Sequence, residues 1–457
     1  MKKSPLNFWL SFIVLSAIFL FCWFVFWQVK NHGLTGLKAF VGILPVQEET
    51  KTDLQTVAYL YDALMQADNE ERVFLILLQN NLELRPGGGF IGSFGILKIR
   101  NGAVTGFAVH DTGNFDGRIP DIVTPPYPMH ETLNINSWKL RDSNYSPDFG
   151  ENAKWAQNFY SLGQGEEQFD GIVAVTGNVL TSLLNVTGPI EIKDYPLKKY
   201  DANNALADLE YQVEKGYRDQ AIAFGERKSF MGNLGLEMLS HIKDFSVVKK
   251  YELFWAVMND LHSKDIQIIF KNPRWQRAVA RAGWNGAMNS DWNDDFLFLV
   301  DANLNAFKTD YYVHRSYTYQ IDLTKDIPQA HLSVTYKNIG SKRDWFAKDY
   351  QTFLRVYVPQ GGYLKTVSEA TTEPVFGEFK GKKYFGVLVQ VPIMSEKTVT
   401  FDYQLPRDLE QTWYDLMIQK QPGLSDVPVK IDIIHQDGTR EEKSFILKHD
   451  TLLSEIK

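Results

Sequence analysis

The sequence predicts an α/β protein in three parts: an apolar N-terminal helix, a mixed α/β body and a C-terminal antiparallel β-sandwich. Three observations predict it. Residues 8–27 carry no charge. Between about 51 and 262, short apolar runs alternate with stretches of helical periodicity. Beyond about 310 only short, alternating, β-branched or aromatic runs remain. The expected boundaries are 1–29, 30–310 and 311–457.

A length of 457 residues fits two or three domains. With 44% hydrophobic and 23% charged residues, disorder, collagen and coiled coil are excluded as overall descriptions. The net charge of −7 and the lack of a dense Lys/Arg cluster argue against nucleic acid as a partner. Cys22 is the single cysteine, so no internal disulfide and no Cys-based zinc or iron–sulfur site forms.

The run Phe8–Trp27, FWLSFIVLSAIFLFCWFVFW, gives as a helix roughly 30 Å, the thickness of a bilayer's hydrocarbon core. Trp9, Trp23 and Trp27 lie near its ends, where interfacial aromatics are common. A cleaved signal peptide would have a shorter run and a small-x-small site, and FWQVKNHG offers neither. Lys2 and Lys3 precede the run and Lys30 and Lys38 follow it, which slightly favours a cytoplasmic N-terminus. The expectation is a single-pass membrane protein, in contact with lipid through residues 8–27, with an extracytoplasmic body.

A helix is expected over 51–67, where Leu54, Val57, Leu60, Tyr61 and Leu64 recur at helical spacing behind Asp53. RVFLILLQ (72–79) reads as a buried strand. Residues 90–110 read as a hairpin about Asn101-Gly102, the pair a type I′ turn needs. The proline-containing stretch 111–148 is expected to be a functional lid or binding loop. Helices near 151–162, 178–185, 204–242 and 249–262 and strands at 169–175 and 190–192 complete the body. Six or more strands follow in the last 140 or so residues.

Arg85-Pro86-Gly87-Gly88-Gly89 follows the first strand. Glycines let backbone amides approach an anion, and Arg85 would add a guanidinium fork; a flexible turn with a surface Arg is the alternative. Asp111 ends the hairpin where the long loop leaves, a place for a divalent metal or a proton acceptor, with Asp116, Asp121, Asp142 and Asp148 in the same loop. Solvated, turn-capping carboxylates are the bland alternative. Arg218 and Arg227 are nine residues apart, about 180° of helical phase, so one straight helix cannot aim both at one site. Gly225 offers a break that lets Arg227 open the next helix, and surface ion pairing is the default for both.

LLQNNLELRPGGGFIGSFGILKIRNG, QFDGIVAVTGNVLTSLLNVTGPIEI and FLFLVDANLNAFKTDYYVHRSYTYQIDL resemble the bacterial domain-of-unknown-function family numbered 4012 (DUF 4012), over roughly 70–320. The strand and hairpin ending in Asp111-Thr112, the segment 169–192 and FGERKSFMGNLGLEML are more distantly similar to the LytR-CpsA-Psr family. Members of that family are membrane-anchored enzymes that move glycopolymers from a polyprenyl-pyrophosphate carrier to the cell wall, usually with magnesium. The resemblance implies a LytR-CpsA-Psr-like phosphotransferase with Asp111 and Arg227 catalytic and Asp111 holding Mg2+; Arg85, which has no counterpart in that family, is expected around the pyrophosphate from the residues themselves, with Gly87, Gly88, Gly89 and Arg218. The matches are incomplete: His110 replaces an Arg, Lys228 a Gln, and FIGSFG lacks the family's second Asp-Thr pair. The alternative is an envelope scaffold or glycan- or protein-binding adhesion module that kept the fold and lost the chemistry.

Overall fold

The first strand of the body sets the architecture. In β1 (Glu71–Asn80) Leu75 and Leu77 point into one apolar cluster, whereas Phe74 and Ile76 point into another. Alternate side chains leave a strand on opposite faces, so a strand apolar at successive positions, as this one is from 73 to 78, must be covered on both. The computed structural model describes residues 33–34, 41–42, 45–192, 199–219, 222 and 229–456. The apolar run 8–27, Cys22 and Arg227 lie outside the described residues. Among those described, no helix is long and apolar enough to cross a membrane.

Helix α1 (Glu48–Met65) precedes β1, and β2 (Phe90–Arg100) and β3 (Ala103–Asp111) form the expected hairpin. Asn101 and Gly102 have φ of 51° and 74°, as a type I′ turn demands. After α2 (Phe149–Leu162) come β4 (Gly171–Thr176), α3 (Gly177–Thr187), α4 (Ser229–Lys243), α5 (Val247–His262), β5 (Ile266–Phe270) and α6 (Pro273–Arg281). The sheet order is β3-β2-β1-β4-β5; β1 and β4 run parallel and the other pairs antiparallel. Helices α1, α5 and α6 cover one face, and α2 with the segment 112–148 covers the other.

That segment is not the lid its composition suggested. Phe115, Ile119, Met129, Trp138, Leu140 and Tyr145 are all buried, and Trp138 packs against Trp155, 4.6 Å between ring centres and tilted by 50°. With its apolar residues spent in the core, it cannot open without exposing them.

The β-domain holds β6 (Asp295–Asn303), β7 (Val313–Asp322), β8 (Gln329–Asn338), β9 (Tyr350–Pro359), β10 (Tyr363–Ser368), β11 (Val375–Phe379), β12 (Lys382–Val391), β13 (Ser395–Gln404), β14 (Leu416–Gln419), β15 (Val427–Ile434), β16 (Arg440–Leu447) and β17 (Thr451–Leu452). Two six-stranded sheets, β10-β13-β8-β7-β15-β16 and β11-β12-β9-β6-β14-β17, pack face to face. Two expectations are corrected. The sandwich is mixed, because β14 runs parallel to β6 and β15 to β7. It also begins before residue 311, since β6, buried at every position, lies inside its sheet.

Candidate functional site

The carboxyl ends of the parallel strands β1 and β4 define the place where open α/β sheets usually bind ligands. Here that end is packed against the β-domain, and the glycine-rich turn is the contact. Gly87 N–H donates to Asn144 O and Gly88 N–H to Arg85 O, each at 2.9 Å, so neither amide serves an external anion. Gln267 Nε2 donates to Gly87 O at 3.0 Å and Gln421 Nε2 to Arg85 O at 3.1 Å. Gly423, at φ +78°, sits so close that a Cβ there would fall 2.0 Å from Gly88 O. A Cβ on Gly89 would fall 2.4 Å from Asn80 O. The glycines do permit close approach, but what approaches is the protein's own backbone.

Arg85 shares that fate. It is 3% exposed, its Nε donates to Asp142 Oδ1 at 2.9 Å and its Nη1 to Asn303 O at 2.7 Å. Burial alone would lower its pKa, yet the Asp142 and Glu83 carboxylates outweigh it and hold the guanidinium charged. Arg85 and Gly88 therefore meet the β-domain, whereas Gly87 and Gly89 are held within the α/β body by Asn144, Gln267 and Asn80.

From Arg85 a line of charges runs outward. Asp142 bears on Asp116, whose carboxyl burial pushes up and Arg141 pulls back down. Arg141 pairs with Asp116 and keeps a part-exposed guanidinium. Its Nη2 and Asp111 Oδ1 border the same spot, 4.0 and 2.9 Å from where a side chain on Gly113 would begin. Asp111 Oδ1 accepts from Asn114 N–H at 2.9 Å, capping the turn 112–116. His110 stacks on Phe94 at 5.0 Å, and burial lowers its pKa.

Asp111 Oδ1 and Arg141 Nη2 thus lie on the same rim, and among the described residues no group of three or more metal-ligating side chains occurs. At this rim the Mg2+ that the sequence resemblance implies would meet the Asp111 carboxylate beside the Arg141 guanidinium. Arg218 is exposed, and its Nε donates to the Tyr217 hydroxyl at 2.8 Å. The described members of the expected constellation are therefore split between a buried junction (Arg85, Gly87–Gly89), a rim (Asp111) and a separate helix (Arg218).

Other polar groups close the sheet end. Asp265 accepts from Thr176 Oγ1 at 2.6 Å and from Ser263 Oγ at 2.7 Å, and Lys420 Nζ donates to Ser263 O at 3.0 Å. Burial lowers the pKa of Lys420. Nearby, Asp260 is pushed up to about 7 by burial and then by Asp265, against the Ser182 hydroxyl at 2.7 Å.

A second polar site lies on the outer face of the sheet holding β7, β8, β13 and β15. A cavity of about 240 Å³ is bordered by Gln320, Gln329, His331, Asp402, Asp432 and Arg440. His331 Nδ1 and Asp402 Oδ1 are 2.7 Å apart, and that contact holds the Asp402 carboxyl below its usual range. Asp432 is 7% exposed, and its Oδ1 meets no partner among the described residues. The sequence reading passed over these residues. Strand alternation marks them as outward-facing, but only cross-strand register brings them side by side.

Residues 69–213 match the family model described as Protein of unknown function (DUF4012). The match includes α/β sheet strands β1 to β4 and the glycine-rich turn, a shorter stretch than the 70–320 of the sequence resemblance. No curated protein matches the chain. Among solved structures, Lin1025 protein from Listeria innocua is similar at 12% identity over 48% of this chain and 79% of that one, with a TM-score of 0.27. TagV from B. subtilis gives 13% over 48% and 81%, with a TM-score of 0.26. A putative transcriptional factor from Listeria monocytogenes, Lmo1026, gives 11% over 50% and 85%, with a TM-score of 0.25. At such scores none of them bears on the chemistry of the DUF4012 segment.

Proposed function

We propose that this protein is a non-catalytic, glycan-binding module of the cell envelope, anchored through residues 8–27 with its body outside the membrane. It keeps the LytR-CpsA-Psr-like arrangement that its sequence resembles and does not transfer glycopolymer. The observation that carries this choice over the transferase is the filled sheet end: Gly423 lies against Gly88, and Gln421 bonds Arg85 O, where a diphosphate would otherwise meet amides and a guanidinium.

The groove on the β-domain supplies the binding surface. Sugar hydroxyls both donate and accept, and a wall of Gln, His, Asp and Arg answers both roles, with Asp432 Oδ1 a buried acceptor.

Two assays on the full chain in neutral detergent test this. In the first, a lipid-linked saccharide is supplied with magnesium and release of polyprenyl phosphate is measured. No release above the protein-free blank is expected, and release that Asp111→Ala abolishes restores the transferase. In the second, sedimentation with insoluble cell-wall polymer is expected to fall for His331→Ala combined with Asp432→Asn. Equal sedimentation by that variant sinks the glycan assignment.

A further inference from the structure

Helix α6 is built with two unlike sides. Asn272 Oδ1 caps it by accepting from Arg274 N–H at 2.9 Å, and Trp275 and Val279 enter the core beneath α1. That turns Arg274, Arg277 and Arg281, at i, i+3 and i+7, to the exposed side. Between residues 271 and 281 the sequence KNPRWQRAVAR has four basic residues and no acidic one.

The three guanidiniums make no ion pair or side-chain hydrogen bond with any described residue. Acids on α1 are engaged elsewhere: Asp53 and Glu49 bear on His262, at 2.8 and 3.3 Å, and Asp62 Oδ1 accepts from Leu34 N–H at 2.8 Å. Like charges one turn apart repel, and Arg274 also sits at the positive end of the helix dipole. Such a face is unfavourable by itself and is neutralised by an anion.

There is room for one. A cavity of about 480 Å³ separates the arginines from α1, walled by Thr52 and Gln55 on the polar side and by Leu34, Val41 and Leu54 on the apolar side. Leu34 lies seven residues beyond Trp27, the end of the apolar run. Seven extended residues reach at most about 25 Å, so this is the part of the body tied most closely to that run. Free phosphate would use the guanidiniums and leave the apolar wall idle, whereas a lipid phosphate uses both.

We infer that the arginine face of α6 binds the phosphate headgroup of an anionic membrane lipid, seating the body on the bilayer surface. This rests on the proposed placement of residues 8–27 in the membrane, not on the glycan groove.

The test follows thermal unfolding of the full chain in neutral detergent, with phosphatidylglycerol, phosphatidylcholine or inorganic phosphate added. Phosphatidylglycerol is expected to raise the unfolding temperature saturably, and the other two at equal concentration to leave it in place. A basic residue at an anionic surface contributes about 1 kcal/mol, or roughly fivefold, so replacing all three (Arg274→Gln, Arg277→Gln, Arg281→Gln) weakens the apparent affinity roughly 100-fold. Without lipid that variant unfolds at the same temperature or higher, because it loses only repulsion. Should it fail to fold, Arg277→Gln alone is expected to cost roughly fivefold, and Arg277→Lys much less. An equal response of wild type and variant overturns the inference. So does inorganic phosphate matching the lipid, which makes the occupant a free anion. Protease accessibility of residues before Phe8 in sealed vesicles tests the anchor separately, so failure of one is distinguishable from failure of the other.

Discussion

Gly423→Ala tests how the two domains are joined. Gly423 has φ +78°, and a Cβ there would lie 2.0 Å from Gly88 O and 3.0 Å from Gly88 Cα. The turn cannot retreat cheaply, because a Cβ on the adjoining Gly89 would itself stand 2.4 Å from Asn80 O, so this backbone already lies against the backbone that ends β1. Holding an alanine in the left-handed region costs about 1–2 kcal/mol. Overpacking a filled site adds about 1–3 kcal/mol. Gly438→Ala supplies the control, since Gly438 has φ +82° with nothing within 4 Å of its virtual Cβ. Guanidinium denaturation of the full chain should therefore show Gly423→Ala less stable than Gly438→Ala by about 1–3 kcal/mol. Because the clash lies at the junction, the variant is also expected to unfold in two steps, the domains parting first. Equal losses in the two variants would refute the close approach of Gly423 to Gly88 and, with it, the filled sheet end.

Other expected outcomes follow from buried charge. Asp142→Ala strands the Arg85 guanidinium in the junction and should cost about 3–5 kcal/mol by denaturant titration. A loss below about 1 kcal/mol would mean that Arg85 reaches solvent. Asp260, with a folded pKa of about 7 against about 3.9 for a free carboxyl, holds its proton more tightly in the folded chain. Its contribution to stability is thus favourable at low pH and is lost as pH rises from about 4 through about 7, by up to roughly 4 kcal/mol. Asp260→Asn removes that loss, so the variant's advantage over wild type should grow between pH 5 and pH 8. An advantage that does not change with pH would show that the carboxyl is already ionised. The Asp402 carboxyl, held low by His331, should move toward its ordinary range in His331→Ala, read by its carbon-13 chemical shift against pH.

Much of the architecture was legible residue by residue. The Asn101-Gly102 turn, the alternation in β1 and the helical spacing in α1 follow from local geometry, which a single sequence carries. The segment 112–148 was misjudged for a related reason: its prolines and scattered aromatics have no period, yet Trp138, Leu140 and Tyr145 are buried, and burial without a period has no sequence signature. The boundary at 311 failed because FLFLVDAN reads equally as a strand of either domain. The burial of Arg85 was not legible, because a glycine-rich turn next to an arginine looks the same whether an anion or the protein's own backbone is to approach it.

Chain order, secondary structure and the two-domain plan were thus written into local chemistry: backbone propensity, apolar period and turn residues act over a few positions. Which polar groups meet across the chain was decided by packing alone. Gln421 finds Arg85 from 336 positions away, and Asp142 finds it from 57, because both domains must bury their apolar faces and the polar ends then have one another to satisfy.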